Sequence, residues 1–152
     1  MKRILVAYYS QSGQLKEIID SLLQPIEGVV VDYLAIDTVE VFPFPWTDEA
    51  FFGAFPESFL QIAQPLQPFE LPSDNYDLVI LGYQVWYLSP SIPINSFLRS
   101  EAGRKLLRDK PVITISGTRN MWVMAQEKVK LLLADCGAYL VGNIALTDRH
   151  HN

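Results

Sequence analysis

Ile4-Leu5-Val6-Ala7-Tyr8 constrains this chain more than any other stretch, because it is apolar at consecutive positions rather than alternate ones. A strand half-exposed to water alternates, whereas an unbroken apolar run belongs to a strand covered on both faces, the usual state of a parallel sheet. The polar segment Ser10-Gln11-Ser12-Gly13-Gln14 follows at once. Beyond it, Leu15, Ile18, Ile19, Leu22 and Leu23 recur at helical spacing until Pro25 and Gly28 stop the helix.

That rhythm repeats. Val29 to Ala35, Leu78 to Gly82, Val112 to Ile115 and Tyr139 to Leu146 read as strands two to five. One helix starts at Pro93 and carries Ile94, Phe97 and Leu98; another, from about Trp122 to Cys136, aligns Ala125, Val129, Leu132, Leu133 and Cys136. Strands alternating with helices give an α/β fold with right-handed crossovers, here a doubly wound five-stranded parallel sheet of order 2-1-3-4-5. The 152 residues suit one domain, 1–152. Two features depart from the simple pattern. The helix that would close such a fold after strand five is missing, since the chain stops at Asp148-Arg149-His150-His151-Asn152. An aromatic and proline-rich insertion occupies about 38–75, with seven of the eight phenylalanines and six of the ten prolines between Phe42 and Pro72.

Composition excludes several classes. A net charge of −5 argues against a nucleic-acid binder. The apolar runs are strand-sized, so no membrane span is expected, and the N-terminal run ends without a signal-peptide cleavage site. The one cysteine, Cys136, cannot form an internal disulfide, and a cytoplasmic location is expected. Cys136 lies on its helix's apolar stripe and reads as structural. His150 and His151 read as a frayed tail, with no metal site expected. Glu127, Lys128 and Lys130 read as a solvated helix face. No Lys or Arg occurs between Lys16 and Arg99, yet Arg99, Arg104, Lys105, Arg108 and Lys110 cluster. They read as a helix end with cations near its carbonyls, or as a docking face for an anionic partner.

Ligands of open parallel sheets bind beyond the carboxyl ends of the strands, which selects three loops. In the first, Ser10, Ser12, Gly13, Gln14 and Leu15 sit where backbone amides and the helix dipole favour a phosphate. A lysine for Walker-type binding is absent, and so is GxGxxG. A plain helix cap is the competing reading. The second loop carries Gln84, Val85, Trp86 and Tyr87, aromatics able to stack on a planar ring or to serve as local core. The third carries Ser116, Gly117, Thr118, Arg119 and Asn120, polar groups for a ring edge or another N-cap.

Tyr8-Tyr9-Ser10-Gln11-Ser12-Gly13 resembles the phosphate loop of the flavodoxin-like superfamily. Tyr76-Asp77-Leu78-Val79-Ile80-Leu81-Gly82, with Trp86 and Pro90, resembles its third strand and ring-contacting loop. A narrower resemblance rests on Phe42-Pro43-Phe44-Pro45-Trp46, Leu88-Ser89-Pro90-Ser91-Ile92-Pro93 and Arg119-Asn120-Met121-Trp122 through Ala125-Gln126-Glu127-Lys128-Val129. These are similar to bacterial flavodoxin-like proteins named as dialkylresorcinol condensing enzymes, whose chains continue past such a C-terminal segment. The resemblance implies FMN as cofactor, held by the residues of the three loops, with no catalytic side chain because the flavin carries the chemistry. It departs from the superfamily at Leu15, which stands where the phosphate motif has its last hydroxyl residue.

The expected function is an FMN-dependent oxidoreductase acting on an apolar or aromatic substrate such as a quinone, with NAD(P)H as a candidate reductant. The aromatic insertion would wall the substrate site, act as a lid or make a homodimer contact. Two alternatives stand beside it: a flavodoxin-type electron carrier, and a flavin-free or weakly flavin-binding accessory domain beside polyketide or dialkylresorcinol biosynthesis.

Overall fold

A computed structural model describes residues 2–9, 13–39, 63–86, 89–118 and 123–147. In chain order its elements are β1 (Lys2–Tyr8), α1 (Gln14–Leu23), β2 (Val29–Ala35), β3 (Leu78–Trp86), β4 (Ser89–Pro90), α2 (Ile92–Arg99), α3 (Glu101–Leu107), β5 (Pro111–Thr118), α4 (Val123–Asp135) and β6 (Tyr139–Thr147). The sheet runs β2-β1-β3-β5-β6, and every pairing along that path is parallel.

Both faces of the sheet are buried at its central strands β1, β3 and β5, which is why these do not alternate, whereas the edge strand β6 leaves Tyr139, Val141 and Ile144 exposed. Ile4, Val6, Ile80 and Ile115 meet Leu15 and Ile19 of α1 on one side. Leu5, Ala7, Val79, Leu81, Tyr83 and Val112 meet Ile94, Phe97, Leu107, Val129 and Leu133 of the other helices. Odd and even residues of β1 thus serve opposite cores, as the two-residue period of a strand dictates.

Two strands run further than the apolar runs suggest. β3 continues past Gly82 to Trp86 and folds back as a short antiparallel hairpin, Val85 opposite Pro90 and Trp86 opposite Ser89. The Ser91 N–H closes it on the Gln84 carbonyl at 2.8 Å. β5 continues past Ile115 through Ser116 and Gly117, paired with Ala145 and Leu146. Aromatic and β-branched residues favour the extension of β3, and pairing with β3 on one side and β6 on the other carries β5 on, so part of each expected loop is strand.

The return from β3 to β5 turns a corner at Ser100. Its N–H closes α2 on the Phe97 carbonyl at 3.1 Å, and its Oγ accepts the Gly103 N–H of α3 at 2.9 Å. Arg104 donates to the Asp135 carbonyl at 2.8 Å, so one clustered cation does satisfy a helix C-terminus. Cys136 is buried, its thiol donating to the Leu98 carbonyl at 3.3 Å, and burial raises its pKa. Of the insertion, residues 38–39 and 63–75 are described, joined by Val39 N–H to the Pro65 carbonyl and a Thr38–Leu66 bridge, with Phe69 against Phe97. Its aromatic centre, 40–62, and the tail with His150 and His151 lie outside the described residues. Among the described residues no helix is long and apolar enough to cross a membrane, and no cluster of three or more potential metal ligands occurs.

Candidate functional site

The carboxyl ends of β1, β3 and β5 lie side by side, with Tyr8 opposite Gly82 and Gln84 opposite Gly117. The three selected loops therefore leave the sheet at adjacent strands. Ser10 and Ser12 of the first loop, Tyr87 of the second, and Arg119 and Asn120 of the third lie outside the described residues.

Gly13 precedes α1 with φ at +86°, a left-handed conformation that glycine adopts without the strain a Cβ would bring. The first hydrogen bond of the helix runs from the Glu17 N–H to the Gly13 carbonyl at 3.2 Å. The amides of Gln14, Leu15 and Lys16 thus precede the helix's own ladder, at its positive end. Gln14 is exposed. Leu15 is buried, its methyls against the ends of β3 and β5: a Cβ built on Gly117 would lie 3.8 Å from Leu15 Cδ1, and one on Gly82 3.5 Å from Cδ2. The Leu15 side chain is therefore a plug between helix and sheet. A hydroxyl residue here would have to bury its oxygen in that apolar seam or leave a void.

Trp86 is buried and takes the ring of Tyr9 edge-on, with centroids 5.8 Å apart. It is a wall of the edge and part of the local core. Gln84 and Val85 are half-buried and belong to β3 rather than to a loop. Ser116 is fully buried; its hydroxyl neighbours the Tyr83 phenol but makes no well-formed hydrogen bond. Gly117 and Thr118 are the last residues of β5.

Four residues that were not among the expected site residues form a buried chain of hydrogen bonds beneath this edge. Tyr83, fully buried, donates its phenol to Gln126 Oε1. Gln126 donates in turn to Thr114 Oγ1 at 3.1 Å, and Thr114 to Asn143 Oδ1 at 2.8 Å. Lys128 corrects an expectation: it is half-buried, not solvated, and its ammonium donates to the buried Ser89 Oγ at 2.7 Å. Burial lowers its pKa. Lys128 stands three residues after Ala125 and four before Leu132, at the margin of the buried stripe, and that spacing was the available signal. Glu127 and Lys130 do form an exposed pair at 3.3 Å.

Burial pushes the Tyr83 phenol up to about 12. Between about pH 10 and 12 the unfolded chain holds fewer protons than the folded one, so stability falls as pH rises through that window. Denaturant titrations from pH 8 to 12 should show a loss of about 2 kcal/mol attributable to this group. Tyr83→Phe should reduce the fall without abolishing it, because burial also pushes Tyr9, Tyr33 and Tyr76 up to about 12; an unchanged slope would assign the alkaline loss to those groups.

The sequence matches no protein-family model and no curated protein. Solved structures do resemble the fold. A flavoprotein from Lactobacillus acidophilus NCFM, in complex with FMN, aligns with TM-score 0.74 and 18% identity over 95% of this chain and 93% of its own. An oxidoreductase from Corynebacterium diphtheriae aligns with TM-score 0.63 and 14% identity over 100% and 85%. A flavodoxin from the domain Archaea aligns with TM-score 0.60 and 14% identity over 95% and 84%. The chain thus has an α/β parallel-sheet fold whose neighbours are flavodoxin-like.

Proposed function

We propose that this chain binds FMN at the carboxyl edge of its sheet and acts as a flavin-dependent oxidoreductase. The observation that carries the reading is Gly13, at +86° in φ, which lets the chain turn from β1 into the positive end of α1 beside the ends of β3 and β5. The residues present fit the group. An uncharged cradle of Ser10, Ser12, Gln14 and the first helical amides suits one terminal phosphate held by dipoles. Tyr87 would meet the ring while Trp86, braced by Tyr9, backs it, and Ser116 to Asn120 would face its polar edge. When bound, the flavin supplies the hydride or electron transfer. The protein positions it and excludes water on the Trp86 side.

The aromatic insertion favours a substrate that is itself apolar, a quinone or an alkyl-aromatic, with NAD(P)H as reductant. A second reading, a weakly flavin-binding accessory domain, starts from Leu15 standing where the resembled motif has a hydroxyl residue, but the packing of its side chain against Gly82 and Gly117 weighs against it. The flavodoxin-type carrier shares the same site and differs only in lacking turnover.

Titration with FMN and with riboflavin tests the proposal. Ser12→Ala should weaken FMN roughly tenfold or more, the worth of one charge-assisted hydrogen bond, and leave riboflavin unchanged. Equal weakening of both would move Ser12 off the phosphate. Indifference of the wild-type chain to FMN would overturn the flavin reading. Oxidation of NADH or NADPH with a quinone acceptor then separates enzyme from carrier.

A further inference from the structure

The geometry points to a second binding site, for a small apolar carboxylate, in the groove between residues 63–69 and the corner of α2 and α3. This cavity, of about 440 Å³, is within the range of small-molecule sites. Leu66, Pro68, Phe69 and Ala102 give it an apolar lining, and among the described residues no carboxylate lines it and one charged side chain, Arg99, does.

The walls are tied rather than merely adjacent. The Gln64 N–H donates to Ser96 Oγ of α2 at 2.8 Å, and Phe69 packs on Phe97 with centroids 6.3 Å apart. Arg99 is held from behind, because its Nε–H donates to Oδ1 of the buried Asn95 at 2.9 Å. The guanidinium is fixed through one nitrogen, and Arg99 makes no ion pair among the described residues. An oriented planar fork is the group best matched to a carboxylate. Arg99 also lines a neighbouring cavity of about 860 Å³ with Arg104, Lys105 and Arg108, tempered by Glu101 and Asp135. These cations attract an anion towards the groove mouth in a chain that is otherwise acidic.

The site is separate from the proposed flavin edge. α2 starts after β4, at the carboxyl end of β3, and its eight residues set Arg99 about 12 Å away along the helix. Its occupancy therefore does not depend on the flavin reading.

Calorimetric titration of the full chain with decanoate, decanol and acetate, each below its micellar concentration, tests this directly. Decanoate should bind saturably and at least tenfold tighter than decanol, and acetate should show no binding at the same concentrations. Arg99→Gln should abolish the preference for decanoate over decanol. Ala102→Phe, which fills the groove from an exposed position, should weaken both ligands. Circular dichroism checks that each variant is folded, and FMN affinity should be unchanged in both. Equal binding of decanoate and decanol, no binding of decanoate, or a preference that survives Arg99→Gln would each overturn the site. Should Arg99→Gln not fold, undiminished decanoate binding by Ala102→Phe would overturn it equally.

Discussion

Gly103→Ala should lower the unfolding free energy by about 3 kcal/mol or more, although alanine is the better helix former by about 1 kcal/mol. A Cβ on Gly103 would stand 2.0 Å from the Phe97 carbonyl oxygen and 3.0 Å from its carbon. Both atoms are backbone, so no rotamer change relieves the clash. The last turn of α2 must move, and Phe97 within it is fully buried. The same corner holds the Ser100 Oγ bonds to the Phe97 carbonyl and the Gly103 N–H, and the Cys136 bond to Leu98. Displacing Phe97 therefore disturbs three hydrogen bonds along with the core. Urea unfolding followed by tryptophan fluorescence would measure the change. A loss below 1 kcal/mol would mean that the corner opens without disturbing the core.

Gly103 also marks a limit of sequence reasoning. A glycine within a helix reads locally as a mild weakness, and only the approach of α3 to the end of α2 makes it necessary. The strands were legible for the opposite reason. Burial on both faces leaves its mark on every consecutive residue of Ile4 to Tyr8, whatever their neighbours are. The extension of β3 to Trp86 was not legible, because Tyr83, Val85 and Trp86 look alike as strand or as aromatic loop until Pro90 and Ser89 are seen opposite them. Leu15 is the sharpest case at the candidate site. As a motif position it is a lost hydroxyl; as a packed side chain it is the plug against Gly82 and Gly117. The sequence shows the residue type, while its direction depends on where α1 lies on the sheet. Lys128 fails similarly, for a charge at the margin of an apolar stripe is solvated or buried according to what covers it, here Ser89.

Gln126→Leu should cost about 3 kcal/mol, from a substitution that nearly conserves volume within an apolar stripe. Gln126 is 6% exposed and sits between Ala125 and Val129, so on hydrophobicity alone leucine would be the better residue. The loss is polar. Leucine takes away the Gln126 acceptor and leaves the buried Tyr83 phenol only the poorly placed Ser116 hydroxyl, a loss worth about 1–3 kcal/mol, and it removes the donor to Thr114, worth about another 1 kcal/mol. Thr114 keeps Asn143 as its acceptor, which limits the second loss. The contributions separate in a double-mutant cycle. In a Tyr83→Phe background the orphaned hydroxyl is gone, and Gln126→Leu should then cost about 1 kcal/mol, giving a coupling above about 1 kcal/mol. Equal costs in the two backgrounds would show that Gln126 does not serve Tyr83. A second readout connects the network to the site above it. Tyr83 is paired with Ser116, and Gln84 with Gly117, at the carboxyl ends of β3 and β5. Loss of the Gln126 anchor should therefore loosen these two strand ends together, and any FMN affinity should fall by more than the distance of Gln126 from the loops suggests. The amide exchange rates of Ser116 and Gly117 should rise in Gln126→Leu and be restored in part by adding Tyr83→Phe, because the pair of apolar residues again leaves no phenol seeking a partner.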